Sequence, residues 1–306
     1  MAELTQRLLG ALADTGRRAR IVDARHVQDL EQELADRHRQ GELDPTFYQE
    51  RLAPFTFRPP NGLGQPRSII VVAQPQGQTR ITFAWRGRTF AAIIPPTYLW
   101  SEVDGPTFEL LTSVLEPAGH RVVRAALPKK SLAVHSGLAR YGRNNVCYAP
   151  GMGSFFGLAT YYSDLPCEED CWGELAMLER CASCTACQRQ CPTGAIVPER
   201  FLVRAERCLT YHNERDAGVP FPDWVDPAAH ECVFGCLRCQ RVCPENKEFL
   251  DWIEPGPDFD QAETALLLEG GPRERLAPDT VRKLERTEML EGLAQLPRNL
   301  AALLKT

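Results

Sequence analysis

The sequence predicts an α+β protein in three consecutive parts, and three observations carry that reading. Short apolar runs of strand character alternate with helical periodicities over residues 1–165. All twelve cysteines fall between Cys147 and Cys243. Beyond Cys243 the apolar residues return at helical spacing. The expected organisation is an α/β domain over 1–165, a cysteine-rich segment over 166–250 and a helical C-terminal segment over 251–306. A chain of 306 residues is long enough for one large or two ordinary cores.

Taken in order, Leu4, Leu8, Leu9 and Leu12 recur at helical spacing until Gly16. Residues 21–24 read as a short strand and 26–39 as a polar helix, with Gly41 beyond its end. Residues 44–67 are rich in Pro and Gly and read as a surface connection pinned by Phe47, Phe55 and Phe57. Ser68-Ile-Ile-Val-Val-Ala73 is a continuous apolar run bounded by Pro66 and Pro75, the pattern of a strand buried on both faces. Two runs, 80–84 and 89–94, split by Trp85-Arg-Gly-Arg88, read as a hairpin. Helices are expected over 104–117, 131–139, 201–208, 278–286 and 288–304, and a strand over 121–126.

The formal net charge of −5 and a pI near 5.8 give no general pull towards nucleic acid. The first ten residues lack the apolar core of a signal peptide, and no apolar run is long enough to span a bilayer. The expectation is a soluble, cytoplasmic protein without membrane partners. In a reducing compartment, cysteines crowded into one stretch serve as ligands rather than as staples.

That stretch opens with Cys181-Ala-Ser-Cys184-Thr-Ala-Cys187-Gln-Arg-Gln-Cys191-Pro192, the complete C-x2-C-x2-C-x3-C-P run of two-cluster ferredoxins. Three thiolates two residues apart wrap one iron–sulfur cube, and the fourth reaches a second. Cys236-Leu-Arg-Cys239-Gln-Arg-Val-Cys243-Pro244 closes the stretch. Zinc takes its ligands as two pairs and fits this spacing poorly. Two [4Fe–4S] clusters are therefore expected. Cys147, Cys167 and Cys171 lack partners at ligand spacing and read as free thiols.

Gly137-Leu-Ala-Arg-Tyr-Gly-Arg-Asn-Asn145, then Gly153-Ser154, Cys191-Pro-Thr-Gly-Ala-Ile196, Arg207-Cys208 and Phe234-Gly-Cys236 follow one another in an order that resembles the epoxyqueuosine reductases. Pro66-Arg-Ser-Ile-Ile-Val71 and Pro297-Arg-Asn-Leu300 are similar to the same family, which is itself related to reductive dehalogenases. The resemblance implies an N-terminal domain of the nitroreductase and cobalamin-processing kind holding cobalamin, followed by a ferredoxin-like double [4Fe–4S] domain. It implies a low-potential electron donor of ferredoxin or flavodoxin type, and reductive removal of an epoxide oxygen from a tRNA base. Carried over, one cluster takes Cys181, Cys184, Cys187 and Cys243, and the other takes Cys191, Cys208, Cys236 and Cys239. The bare spacing also allows Cys232 in place of Cys208. Tyr141, Arg143, Asn144, Gly153 and Ser154 are the candidate cofactor contacts. Arg140 and Arg143 flank a glycine turn suited to gripping a phosphate or carboxamide edge, or else form a solvated basic loop.

Three departures shape the expected function. The family's proton-donating Asp aligns with Val122 or Val123, and no carboxylate lies between Gly119 and Asn145. His120, His135, Tyr141 and Asp104 are substitutes by residue type. The family's Gly-Lys-Asn is Gly142-Arg143-Asn144, and the sequence stops at Thr306 without a helical-repeat extension. The expectation is a paralogue with the same cofactors and a different small or nucleoside-like substrate, tRNA being in doubt. An electron-transfer or corrinoid-activating partner is the second reading, and flavin is the rival occupant of the first domain.

Overall fold

The computed structural model describes residues 2–59 and 63–305. In chain order its strands are β1 (Arg18–Asp23), β2 (Ser68–Pro75), β3 (Gln78–Trp85), β4 (Arg88–Ile94), β5 (Val122–Arg124), β6 (Arg140–Tyr141), β7 (Cys147–Tyr148), β8 (Phe156–Ser163) and β9 (Ile253–Phe259). The chain forms two compact units, Met1–Pro75 with Trp100–Cys184, and Gln76–Leu99 with Thr185–Thr306. No helix among the described residues is long and apolar enough to cross a membrane.

The first unit is built on an antiparallel sheet of order β1-β2-β8-β5. The uninterrupted apolar run becomes β2, an inner strand buried from Ser68 to Ala73, as its composition requires. Alternation sends Ile70 and Val72 to one face, where they meet Leu8 and Leu12 of helix Ala2–Asp14 and Val103, Leu111 and Leu115 of helix Trp100–Leu115. Each of these fully buried aliphatic side chains contributes roughly 1.5–3 kcal/mol. Helix Lys129–His135 packs against β2 and β8. The connection expected over 44–67 contains helical turns at Pro45–Phe47 and Tyr48–Leu52, and its residues 60–62 lie outside the described set.

The hairpin of β3 and β4 forms where expected but belongs to the second unit rather than to a 1–165 domain. Its inward residues Ile81, Phe83, Ala92 and Ile94 are apolar and pack on Phe259, Leu284, Leu296 and Leu300. Phe83 and Phe259 stack with ring centroids 5.0 Å apart. The C-terminal segment is not wholly helical: β9 adds in parallel to β3, giving a sheet of order β4-β3-β9. Pro255 and Pro257 hid this strand from the sequence reading, because proline is tolerated only at a sheet edge, where β9 lies. Helices follow at Gln261–Glu269, closed by an Asp260–Glu263 capping box, and at Pro278–Arg286 and Leu296–Leu304.

Candidate iron–sulfur site and cofactor turn

Cys181 and Cys184 end the first unit; in the second, the cysteine segments are short helices interrupted at the cysteines. Helix Ala186–Gln190 carries Cys187 and stops at Cys191, which is extended (φ −66°, ψ 116°) because Pro192 follows it. The Ala195 N–H is thereby free to donate to Cys191 Sγ at 3.3 Å. A helix was expected over 201–208; instead Cys208 is extended (φ −74°, ψ 128°) and the helix begins after it, at Leu209–Glu214. The first amides of that helix, Thr210 and Tyr211, donate to the Cys208 sulfur, and the Arg238 amide donates to Cys236. Amides aimed at sulfur favour the thiolate, which is the form that binds iron.

Burial pushes the Cys208 thiol upward, and Cys191 pushes it further. Burial raises Cys236 to about 12, with Cys208 and Cys191 adding to the shift. Cys191, Cys208 and Cys236 therefore lie within electrostatic reach of one another, and iron must displace the protons of Cys208 and Cys236 to bind. Cys239 sits in helix Arg238–Arg241 and Cys243 just beyond it; both are half-buried, as are Cys181, Cys184, Cys187, Cys191, Cys208 and Cys236. Cys232 packs among Ile93, Leu237 and Ile253; it too takes a backbone amide, from Leu237, and lies within electrostatic reach of Cys236, and burial holds it well above the ordinary thiol range. Cys147 is likewise buried and raised to about 12, while Cys167 donates towards the Ile21 and Glu169 carbonyls. Among the described residues no three His, Cys, Asp or Glu side chains converge on a single-ion site.

In the first unit Tyr141, Arg143 and Asn144 share one hairpin, formed by β6 and β7. Its tip is closed by Gly142 N–H to Val146 O (2.8 Å) and Asn145 N–H to Gly142 O (3.0 Å), with Asn145 left-handed at φ 53°. Asn144 Nδ2 donates to Tyr148 Oη at 3.0 Å. The edge of the hairpin holds the chain entering the cysteine segment: Tyr141 N–H bonds Ala176 O and Leu178 N–H bonds Tyr141 O, both at 2.8 Å. Arg143, expected to grip a phosphate or carboxamide edge, instead donates from Nε to the Cys184 carbonyl (3.2 Å) and from Nη2 to the Cys181 carbonyl. Gly153, at φ 54°, and buried Ser154 lie in the turn after β7, where Ala149 N–H bonds Gly153 O at 2.9 Å.

The proposed acids are all engaged. Strand alternation puts Val122 in the core and Val123 on the opposite face of β5. His120 Nδ1 is 3.2 Å from Asp164, and Asp104 accepts from Arg124 and from Tyr161 Oη. Burial raises the pKa of Tyr141, whose hydroxyl stands 3.4 Å from Ser131 Oγ, so its proton is held. Both ring nitrogens of His135 are occupied, by Gly173 O at 2.6 Å and Glu33 at 3.0 Å. Its ring stacks on Trp172, which also stacks on His26. This sandwich pins the 170–173 segment and was not legible in sequence, since residues 26, 135 and 172 are far apart.

Although burial lowers it, the His135 pKa is raised overall by Glu33, whose own is lowered. The pair's contribution is therefore present between the ordinary carboxyl and imidazole values and is lost as pH rises through the raised imidazole value. Glu33→Gln is expected to lower the melting temperature more at about pH 6 than at about pH 9. An equal loss at both would show that the ion pair contributes nothing.

Residues 180–246 match the family model described as a 4Fe-4S double cluster binding domain. The epoxyqueuosine reductase of Alicycliphilus denitrificans is 35% identical over 158 residues, 49% of this chain and 40% of that protein. That of Burkholderia pseudomallei is 32% identical over 202 residues, 63% of this chain and 46% of that protein. The chain thus matches less than half the length of these curated relatives. A crystal structure of epoxyqueuosine reductase superposes with a TM-score of 0.68 over 99% of this chain and 81% of that one, at 20% identity. Another, which holds an epoxyqueuosine-modified tRNA-Tyr stem loop, gives 0.67 over the same shares at 19% identity. The resemblance read from the sequence is borne out, and so is the mixed α+β fold with its iron–sulfur domain. The doubt over tRNA gains no support from these relatives.

Proposed function

We propose that this chain, similar to the epoxyqueuosine reductases and matching a double-cluster domain, is an iron–sulfur oxidoreductase, a cobalamin-dependent reductase fed through two [4Fe–4S] clusters. The observation that carries the cluster part of this reading is the set of backbone amides directed at Cys191, Cys208 and Cys236. One cluster takes Cys191, Cys208, Cys236 and Cys239; the other takes Cys181, Cys184, Cys187 and Cys243. Cys208 lies within electrostatic reach of both Cys191 and Cys236 and takes the Thr210 and Tyr211 amides, whereas Cys232, though it takes the Leu237 amide and lies near Cys236, is buried among apolar side chains; this supports Cys208 over Cys232.

The first unit is the proposed corrinoid domain. The Gly151–Ser154 turn offers backbone without bulk, and Tyr141 and Asn144 stand on the adjoining hairpin. When bound, a corrinoid supplies the strongly reducing metal centre of the reaction. The chain's own residues would orient it, keep water out with the buried Tyr141 and Ser154, and collect electrons from a donor of ferredoxin or flavodoxin type. We place an epoxide-bearing nucleoside in tRNA as the substrate to test first, because a structural relative holds that stem loop. A valine, Val122 or Val123, in place of an acid favours a second reading: an electron-transfer or corrinoid-activating partner that turns over no substrate itself.

Anaerobic purification with added hydroxocobalamin tests the cofactor, and incubation with epoxyqueuosine-modified tRNA tests the substrate. A co-eluting corrinoid and conversion of the modified base are expected. A corrinoid without conversion selects the second reading, and a flavin in its place rejects both.

A further inference from the structure

We propose that Arg143 positions the Cys181–Cys184 loop and raises the reduction potential of the cluster bound there. The proposal rests on the two-cluster reading above. Arg143 Nε and Nη2 bond the carbonyls of Cys184 and Cys181, the first two ligands of the cassette. Neither partner is a carboxylate, so these bonds leave the guanidinium charge standing beside the cluster's own chain. A lysine, as in the related Gly-Lys-Asn, presents one point charge; only the planar guanidinium fork spans both carbonyls in fixed geometry.

The sequence around Arg143 keeps the fork in place. Gly142 packs so tightly that an added Cβ would lie 2.5 Å from Tyr148 Cε2 and 2.6 Å from Asn144 Oδ1. Val146 N–H donates to Asn144 Oδ1 at 3.3 Å, and Lys130 Nζ donates to Asn145 O at 3.2 Å. The hairpin is thus bonded across its tip and held on its edge by residues 176–178. A cation on a rigid turn is a constant part of the cluster's electrostatic surroundings rather than a passing visitor.

The redox step moves one electron. A reduced low-potential donor loses it, the cluster gains one negative charge, and no bond forms or breaks. A nearby fixed cation favours the more negative, reduced cluster, so it raises that cluster's potential.

Wild type, Arg143→Lys and Arg143→Gln are purified anaerobically, iron and sulfide are counted, and each is titrated potentiometrically by EPR. In Arg143→Gln one of two potentials is expected to fall, changing that cluster's reduced-to-oxidised ratio at fixed potential at least threefold (about 59 mV for each tenfold). The other potential stays, and Arg143→Lys recovers most of the shift because it keeps the charge. If Arg143→Gln loads poorly, the neutral Arg143→Met is titrated in its place, with the same fall in one potential expected. Iron loss in both variants would make Arg143 a brace only, and full loading with both potentials unmoved would remove its electrostatic role. Either result overturns the proposal while leaving two clusters in the wild type. A wild type without two clusters overturns the underlying reading as well.

Discussion

Replacing Cys208 with serine is expected to lower iron and sulfide from about eight to about four per chain, while Cys232→Ser leaves both near the wild-type count. The two cysteines are discriminated by their surroundings. The sulfur of Cys208 receives the Thr210 and Tyr211 amides and lies within electrostatic reach of Cys191. Cys232, though it takes the Leu237 amide and lies near Cys236, is almost wholly buried against Ile93 and Leu237. Cys232→Ser places a hydroxyl there and is expected to destabilise the chain by about 1–3 kcal/mol without iron loss. The opposite pattern, full iron in Cys208→Ser and half in Cys232→Ser, would reverse the ligand assignment.

The second large effect is expected at Gly235, one residue before Cys236. Gly235 is left-handed at φ 75°, and an added Cβ would meet Tyr98 Cε2 at 2.7 Å and Pro95 Cγ at 3.0 Å. Tyr98 cannot easily give way, because its buried hydroxyl donates to Glu214. The Gly235 carbonyl is also fixed, accepting from Asn213 Nδ2 at 2.8 Å. Gly235→Ala therefore strains the backbone, at a cost of about 1–3 kcal/mol, and moves Cys236 away from Cys208. A lower melting temperature together with loss of about half the iron is expected. Wild-type iron and stability in this variant would mean that the loop adapts and that its geometry does not control loading.

Residue patterns revealed the parts of this protein that local physics determines. The unbroken run Ile69–Ala73 could only be a strand buried on both faces, and β2 is one. The cysteine spacing announced the double-cluster domain before any fold was known. Other features depend on partners distant in sequence. The hairpin β3–β4 is recognisable locally, but nothing in residues 78–94 shows that Phe83 stacks on Phe259. The edge strand β9 was masked by its prolines. The Gly142-Arg143-Asn144 turn was visible as a basic turn, yet the two carbonyls it serves lie about forty residues later. His135 shows the same limit: as a lone histidine it suggested an acid, and the fold engages both its nitrogens.

In the proposed function, two clusters deliver electrons to a corrinoid held by this chain. Anaerobic protein loaded with cobalamin is mixed with reduced ferredoxin or flavodoxin, and the corrinoid absorbance is followed in wild type and in Cys208→Ser. The bound corrinoid is expected to be reduced in the wild type, with reduction slowed at least tenfold in the variant. A corrinoid that fails to bind, or one reduced equally fast in both proteins, would contradict the proposed function.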